Sequence, residues 1–143
     1  TDHVGVKDTV HFMKVSWSSK DVVKGSQRYS FFATSEDYLR IAKTIMNDYH
    51  SDSCIGDYLR NIYDNRVDKK KKQDDTKSVF AYTKQYGGQF HMSLKGTKNV
   101  VFAMDGYAGQ QILIDMTSGR IVIVHAIDRH YNWNKIVYKV IKN

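Results

Sequence analysis

Proline is absent from this sequence and cysteine occurs once, at Cys54. A lone cysteine excludes an internal disulfide, and without a cysteine pair a structural zinc site of the thiolate kind is excluded too. Average proline usage is about 5%, and the residues offer no physical reason for its absence. No apolar run approaches the roughly 18 residues of a membrane span. The opening Thr1-Asp2-His3-Val4 lacks the basic and apolar regions of a signal peptide. The compartment stays open, periplasmic or secreted if an upstream segment supplies such a signal.

What is present is 143 residues, one domain's worth or part of one, with an ordinary apolar share of 41%. Net charge is +7, partly from Lys69-Lys70-Lys71-Lys72. Followed by Gln73-Asp74-Asp75, this run reads as a solvated loop; the alternative is a basic patch for nucleic acid or another polyanion. Other basic residues are scattered, which ranks that alternative second.

Periodicity predicts an α+β chain. Residues 1–33 have no sustained period, but Val4, Val6, Val10 and Phe12 alternate with polar residues, as in a short extended segment or edge strand. Thr34-Ser35-Glu36-Asp37 is a capped helix start with carboxylates at the positive end of the dipole. Tyr38, Ile41, Ala42, Ile45, Met46 and Tyr49 then form one apolar stripe, predicting a helix over 35–49. A second helix, with Ile55, Tyr58, Leu59, Ile62 and Tyr63, runs to about Arg66, so 34–67 is a helix pair. Residues 78–126 read as antiparallel strands, with Gly87-Gly88 as a bulge or turn. Val100–Met104 is a buried strand, Gln110–Asp115 the next, Met116–Gly119 a hairpin loop, and Arg120–His125 the return strand. Being apolar on both faces, that last strand is expected to be central. Trp133, Ile136, Val137, Val140 and Ile141 have helical spacing, so 130–143 is a closing helix.

Six histidines include no pair at metal-ligand spacing, and Cys54 has no activating neighbour, so neither a metal site nor a cysteine nucleophile is expected, nor any cofactor. His125 is expected to be buried at the end of its central strand. His91, on the strand before Val100–Met104, is a weaker candidate for a pocket. Gly106-Tyr107-Ala108-Gly109 precedes a strand, whereas a phosphate cradle precedes a helix.

Two stretches carry a resemblance. Ala33-Thr34-Ser35-Glu36-Asp37-Tyr38-Leu39-Arg40 resembles the helix start common among serine hydrolases of the β-lactamase and penicillin-binding-protein type. Asp105-Gly106-Tyr107-Ala108-Gly109-Gln110-Gln111-Ile112-Leu113-Ile114-Asp115 is similar to that family's glycine-glutamine strand entry, followed by a valine-rich return strand. The stretch from Thr1 to Gln27 more weakly resembles the branch with class C β-lactamases, esterases and 6-aminohexanoate-dimer hydrolases.

The resemblance implies the C-terminal part of a β-lactamase or transpeptidase-like fold, acting on amide or ester substrates through an acyl-enzyme. The family's nucleophile lies in an S-x-x-K motif. Ser16 and Lys20 are four apart rather than three, so no catalytic residue is assigned here and the motif is expected upstream of Thr1. The strand motif that lines the family's acyl pocket corresponds to Met104-Asp105-Gly106. Met104 stands at a cationic or imidazole position that can be apolar in the amide-hydrolase branch, which turns the expectation away from β-lactam substrates. The implied substrate-binding residues are Met104, Asp105, Gly106, Tyr107 and Gln110. Each has a plainer role open to it: Asp105 as a turn former, Tyr107 as a loop tyrosine, Gln110 as a backbone ligand. A non-catalytic descendant of the fold, kept for protein contacts, is a third possibility. Half a sheet leaves an open edge and an uncovered face, so the expected partner is the missing N-terminal part or a second copy.

Overall fold

The computed structural model describes residues 3–7, 10–14, 29–70, 82–106, 110–125, 131 and 134–142. Within them the chain is α+β. Strands β1 (His11–Lys14) and β2 (Tyr29–Phe32) form an antiparallel pair, followed by helices α1 (Ser35–His50) and α2 (Cys54–Asp64). Then come β3 (Val67–Asp68), β4 (Thr83–Gly87), β5 (Phe90–Leu94), β6 (Val101–Asp105), β7 (Gln111–Asp115), β8 (Arg120–Val124) and helix α3 (Asn134–Lys142). Strands β3 to β8 make one six-stranded antiparallel sheet in sequence order.

Local chemistry sets the element ends. Thr34 Oγ1 accepts from Asp37 N at 3.2 Å and caps α1, as its sequence predicts. The Asp37 carboxylate is fully buried, where it accepts from Arg40 Nη1 at 2.6 Å and Lys7 N at 3.1 Å. Ser53 caps α2 through Gly56 N. That helix stops at Asp64 with Asn65 as its C-cap, two residues short of the predicted end, because Val67–Asp68 pairs with Gln85–Tyr86 as the unforeseen strand β3. The predicted glycine turn is the β4–β5 connection, with Gly88 and Gln89 both at positive φ. The β7–β8 hairpin loop is held by Asp115, whose carboxylate accepts from Thr117 N, Ser118 N and Asn99 Nδ2 at 2.7–3.0 Å.

The sheet has a helix layer on each face. Ala42 and Leu59 from α1 and α2 meet Met92, Phe102, Ile112, Ile114 and Met116. On the opposite face Val137 and Ile141 of α3 meet Leu94, Val101, Ala103 and Leu113. Met92 and Leu94 are two apart in one strand yet face opposite layers, because Ser93, at φ 60°, resets the alternation. Phe102 is the centre of the first layer, with Phe90, Tyr49 and Tyr63 rings 5.1, 5.7 and 5.7 Å away.

Two expectations are corrected. Among the described residues strand β8 ends the sheet rather than lying inside it, although α1 and α3 both pack on it and so account for its apolar faces. His125, expected to be buried, is exposed just past β8, with Nδ1 2.9 Å from Ser35 Oγ and its ring edge-on to Tyr38. Trp133 and the rest of the lysine run, Lys71 and Lys72, lie outside the described residues. No helix among the described residues is long and apolar enough to cross a membrane.

Candidate functional site

The sequence directs attention to the end of β6, and two ladders define its geometry. With β7 the pairing runs the length of the strand, from Val101↔Asp115 to Asp105↔Gln111. With β5 it comprises only Met92↔Phe102 and His91↔Ala103. The backbone at Met104–Asp105 thus continues past the β5 ladder while β7 holds it from the other side. An extended ligand segment that pairs with a strand edge needs such a backbone.

The five implied binding residues do not share one role. Met104 is half-buried with its side chain in the α1–α2 core, opposite Ile112, so only its backbone is available at the strand edge. Asp105 is exposed on the other face, which is set by the alternation that turns Ala103 towards α3. Gly106 N donates to Gln110 O at 2.9 Å, closing the loop between β6 and β7. A Cβ at Gly106 would lie 2.6 Å from Gln110 Oε1 and 3.2 Å from Gln110 Cβ, so the glutamine side chain fills the space the glycine leaves. This gives Gly106 and Gln110 a joint packing reason within the loop. Tyr107 lies outside the described residues.

The face that carries Asp105 gathers polar groups that periodicity alone did not single out. The row through His91, Ala103, Leu113 and Val122 is followed by Asp105, Gln111 and Val124. Gln111 is 1% exposed, and among the described residues neither of its amide atoms has a hydrogen-bond partner. Lys69, read from the sequence as the start of a solvated run, is half-buried and donates from Nζ to the buried Thr83 hydroxyl. Its turn inward follows from β3: once Val67–Asp68 pairs with β4, Lys69 N bonds Lys84 O and its stem lies along the sheet.

Electrostatics on this face follow from desolvation. Burial, then the Lys95 charge, pull the Lys69 ammonium down to about 8, with Asp105 acting in the opposite sense. Burial and the Lys69 charge lower the His91 imidazole to about 4, so it is neutral at pH 7. Lys69 thus feels Asp105 and His91 feels Lys69, and a neutral imidazole can accept a hydrogen bond without adding charge. Among the described residues no group of three or more histidine, cysteine, aspartate or glutamate side chains is disposed to hold a metal ion.

Comparison of the chain with protein-family models, with curated proteins and with solved structures finds no match.

Proposed function

We propose that this chain is the C-terminal part of a serine hydrolase of the β-lactamase and penicillin-binding-protein type, acting on amide or ester bonds through an acyl-enzyme. The S-x-x-K serine and lysine lie outside these residues. The end of β6 forms one wall of the acyl pocket, and its contribution is backbone: the carbonyl and amide groups at Met104–Gly106 orient the substrate's acyl chain while the external serine attacks the carbonyl carbon.

The observation that carries this reading is the mismatch of ladders on β6. Pairing with β7 fixes the strand through Asp105, whereas pairing with β5 ends at Ala103. A strand held from one side and ending in a glycine loop is suited to take a substrate as a short additional strand. Met104 stands where the family's β-lactam-directed members carry a cationic or imidazole group, and its side chain lies in the α1–α2 core; without that group, and with Asp105 exposed, the strand end favours neutral or amine-bearing amides and esters over substrates anchored by a carboxylate. The inward turn of Lys69 takes one ammonium out of the exposed lysine run and weakens the polyanion alternative.

The test is covalent labelling of the natural full-length gene product with a fluorophosphonate probe, followed by peptide mapping. The reading expects one labelled serine in an S-x-x-K sequence upstream of Thr1, and a Gly106→Val variant that folds but labels at least about tenfold more slowly. A product that carries no such sequence, or an unlabelled folded protein, contradicts it.

A further inference from the structure

We infer that Lys69 is a carbonyl-reactive amine: its Nζ, held against Thr83 with the Lys95 ammonium as a neighbour, condenses with small 2-oxo acids to form a Schiff base. The inference stands apart from the hydrolase reading and uses none of its assigned groups as reactants.

Position comes first. Lys69 follows directly on β3, its N bonds Lys84 O at 3.0 Å, and its Nζ donates to the hydroxyl of Thr83, a residue 3% exposed. These contacts hold the amine at one place on the sheet, half-buried, whereas Lys70 next in the chain is exposed. Thr83 lies opposite Leu94 in the β4–β5 ladder, and Lys95 follows Leu94, with its N bonded to Tyr82 O at 2.8 Å. A second positive charge is thereby built in beside the rung that receives Lys69.

That arrangement changes the amine. Withdrawing an ammonium from water favours its neutral form, and another cation nearby favours it further. Burial and then Lys95 bring Lys69 to about 8 from 10.5, while Asp105 opposes them. His91 is neutral at pH 7 and adds no charge of its own. About one Lys69 amine in ten is therefore neutral at pH 7, against about one in three thousand for a lysine at its ordinary value. Only the neutral amine has a lone pair for attack, and a desolvated lysine next to a second cation is one of the ways proteins make such a nucleophile.

The same charges select the substrate. Lys95 is exposed to solvent, where a carboxylate can reach it, and the net charge of +7 draws small anions to the chain. Asp105 repels a carboxylate from the opposite side. A molecule with a carboxylate next to a ketone or aldehyde thus sets its anion towards Lys95 and its carbonyl carbon towards Lys69. The nitrogen lone pair attacks that carbon and the C=O pair moves onto oxygen. The oxygen then takes the two protons that nitrogen gives up and leaves as water, so that one C=O and two N–H bonds are exchanged for one C=N bond and a molecule of water. No oxidant or reductant enters the step.

The experiment is reductive trapping of the protein with glyoxylate or pyruvate and sodium cyanoborohydride at pH 7, followed by peptide mapping. Lys69 is expected to gain the carboxyalkyl group at least about tenfold faster than the exposed Lys43 and Lys84, with a rate that rises through about pH 8. Lys69→Met is expected to fold and to lose that fast phase. Lys95→Met is expected to slow trapping of glyoxylate at Lys69 at least about fivefold and to slow trapping of acetaldehyde, which has no carboxylate, by less. Labelling of Lys69 no faster than of Lys43 and Lys84 overturns the inference. Equal trapping of acetaldehyde and glyoxylate at Lys69, or a Lys95→Met variant that treats the two alike, overturns the assignment to 2-oxo acids. Fluorophosphonate labelling reads the hydrolase proposal separately, so either result can fail while the other holds.

Discussion

At Lys69 and His91 the structure sets charges against burial, and this makes stability depend on pH in a defined direction. His91 has a folded-state pKa of about 4, below its ordinary value of 6.5. Between those values the unfolded chain binds more protons, so stability is fully present above about 6.5 and falls as pH drops towards 4. Lys69, at about 8 against 10.5, has the same sign: its contribution rises as pH climbs from 8 to 10.5. Urea midpoints measured across pH are expected to show both slopes. His91→Gln should remove the acid slope, and Lys69→Met should remove the alkaline one while leaving stability at pH 7 unchanged or higher. A slope that survives its own substitution would assign it to another group. Phe102, fully buried among three aromatic rings, gives a larger effect: Phe102→Ala is expected to cost about 3–5 kcal/mol in denaturant unfolding.

For single elements, the parts that were legible in the sequence are those whose signals are local. Thr34 and the stripe from Tyr38 to Tyr49 marked α1 to within one residue, because capping and a period of 3.6 are written in neighbouring side chains. Thr34→Ala is accordingly expected to lower stability by about 1 kcal/mol, read by thermal or urea unfolding. The β7–β8 hairpin was equally plain from its loop, Met116 to Gly119, and its apolar flanks. What escaped depended on pairing between distant segments. Strand β3 is only two residues long and exists because Tyr86 and Gln85 lie opposite it. The reversal at Ser93 left no trace in the hydrophobic pattern, since Met92 and Leu94 are both apolar whichever layer they face. Ser93 Oγ donates to Gln85 Oε1 at 2.5 Å and accepts from Arg66 Nε at 3.1 Å, which holds the positive φ in place. Ser93→Val is therefore expected to destabilise by about 1–3 kcal/mol, through a branched side chain at positive φ and lost hydrogen bonds.

At the scale of the candidate site the sequence marked a stretch rather than a constellation. Met104, Asp105, Gly106 and Gln110 are contiguous enough to be noticed, but their separate faces follow from the register with β7, which assigns Met104 to the core and Asp105 to the opposite surface. Thr83 and Gln111 come from two strands and Lys69 from just past a third, and nothing in their spacing announces that they share a face. His125 went wrong for a related reason: β8 has an interior strand's composition, while the described sheet ends there.

Taken whole, the molecule has two helix layers around a six-stranded sheet, a short β1–β2 pair with Phe12 71% exposed, and an apolar outer strand. The most direct measurement of the central claim is fluorophosphonate labelling of the full-length gene product with mapping of the modified residue. One modified serine, three residues before a lysine and upstream of Thr1, is the predicted result. A folded full-length protein that takes up no label, or that is labelled only within these 143 residues, contradicts the account.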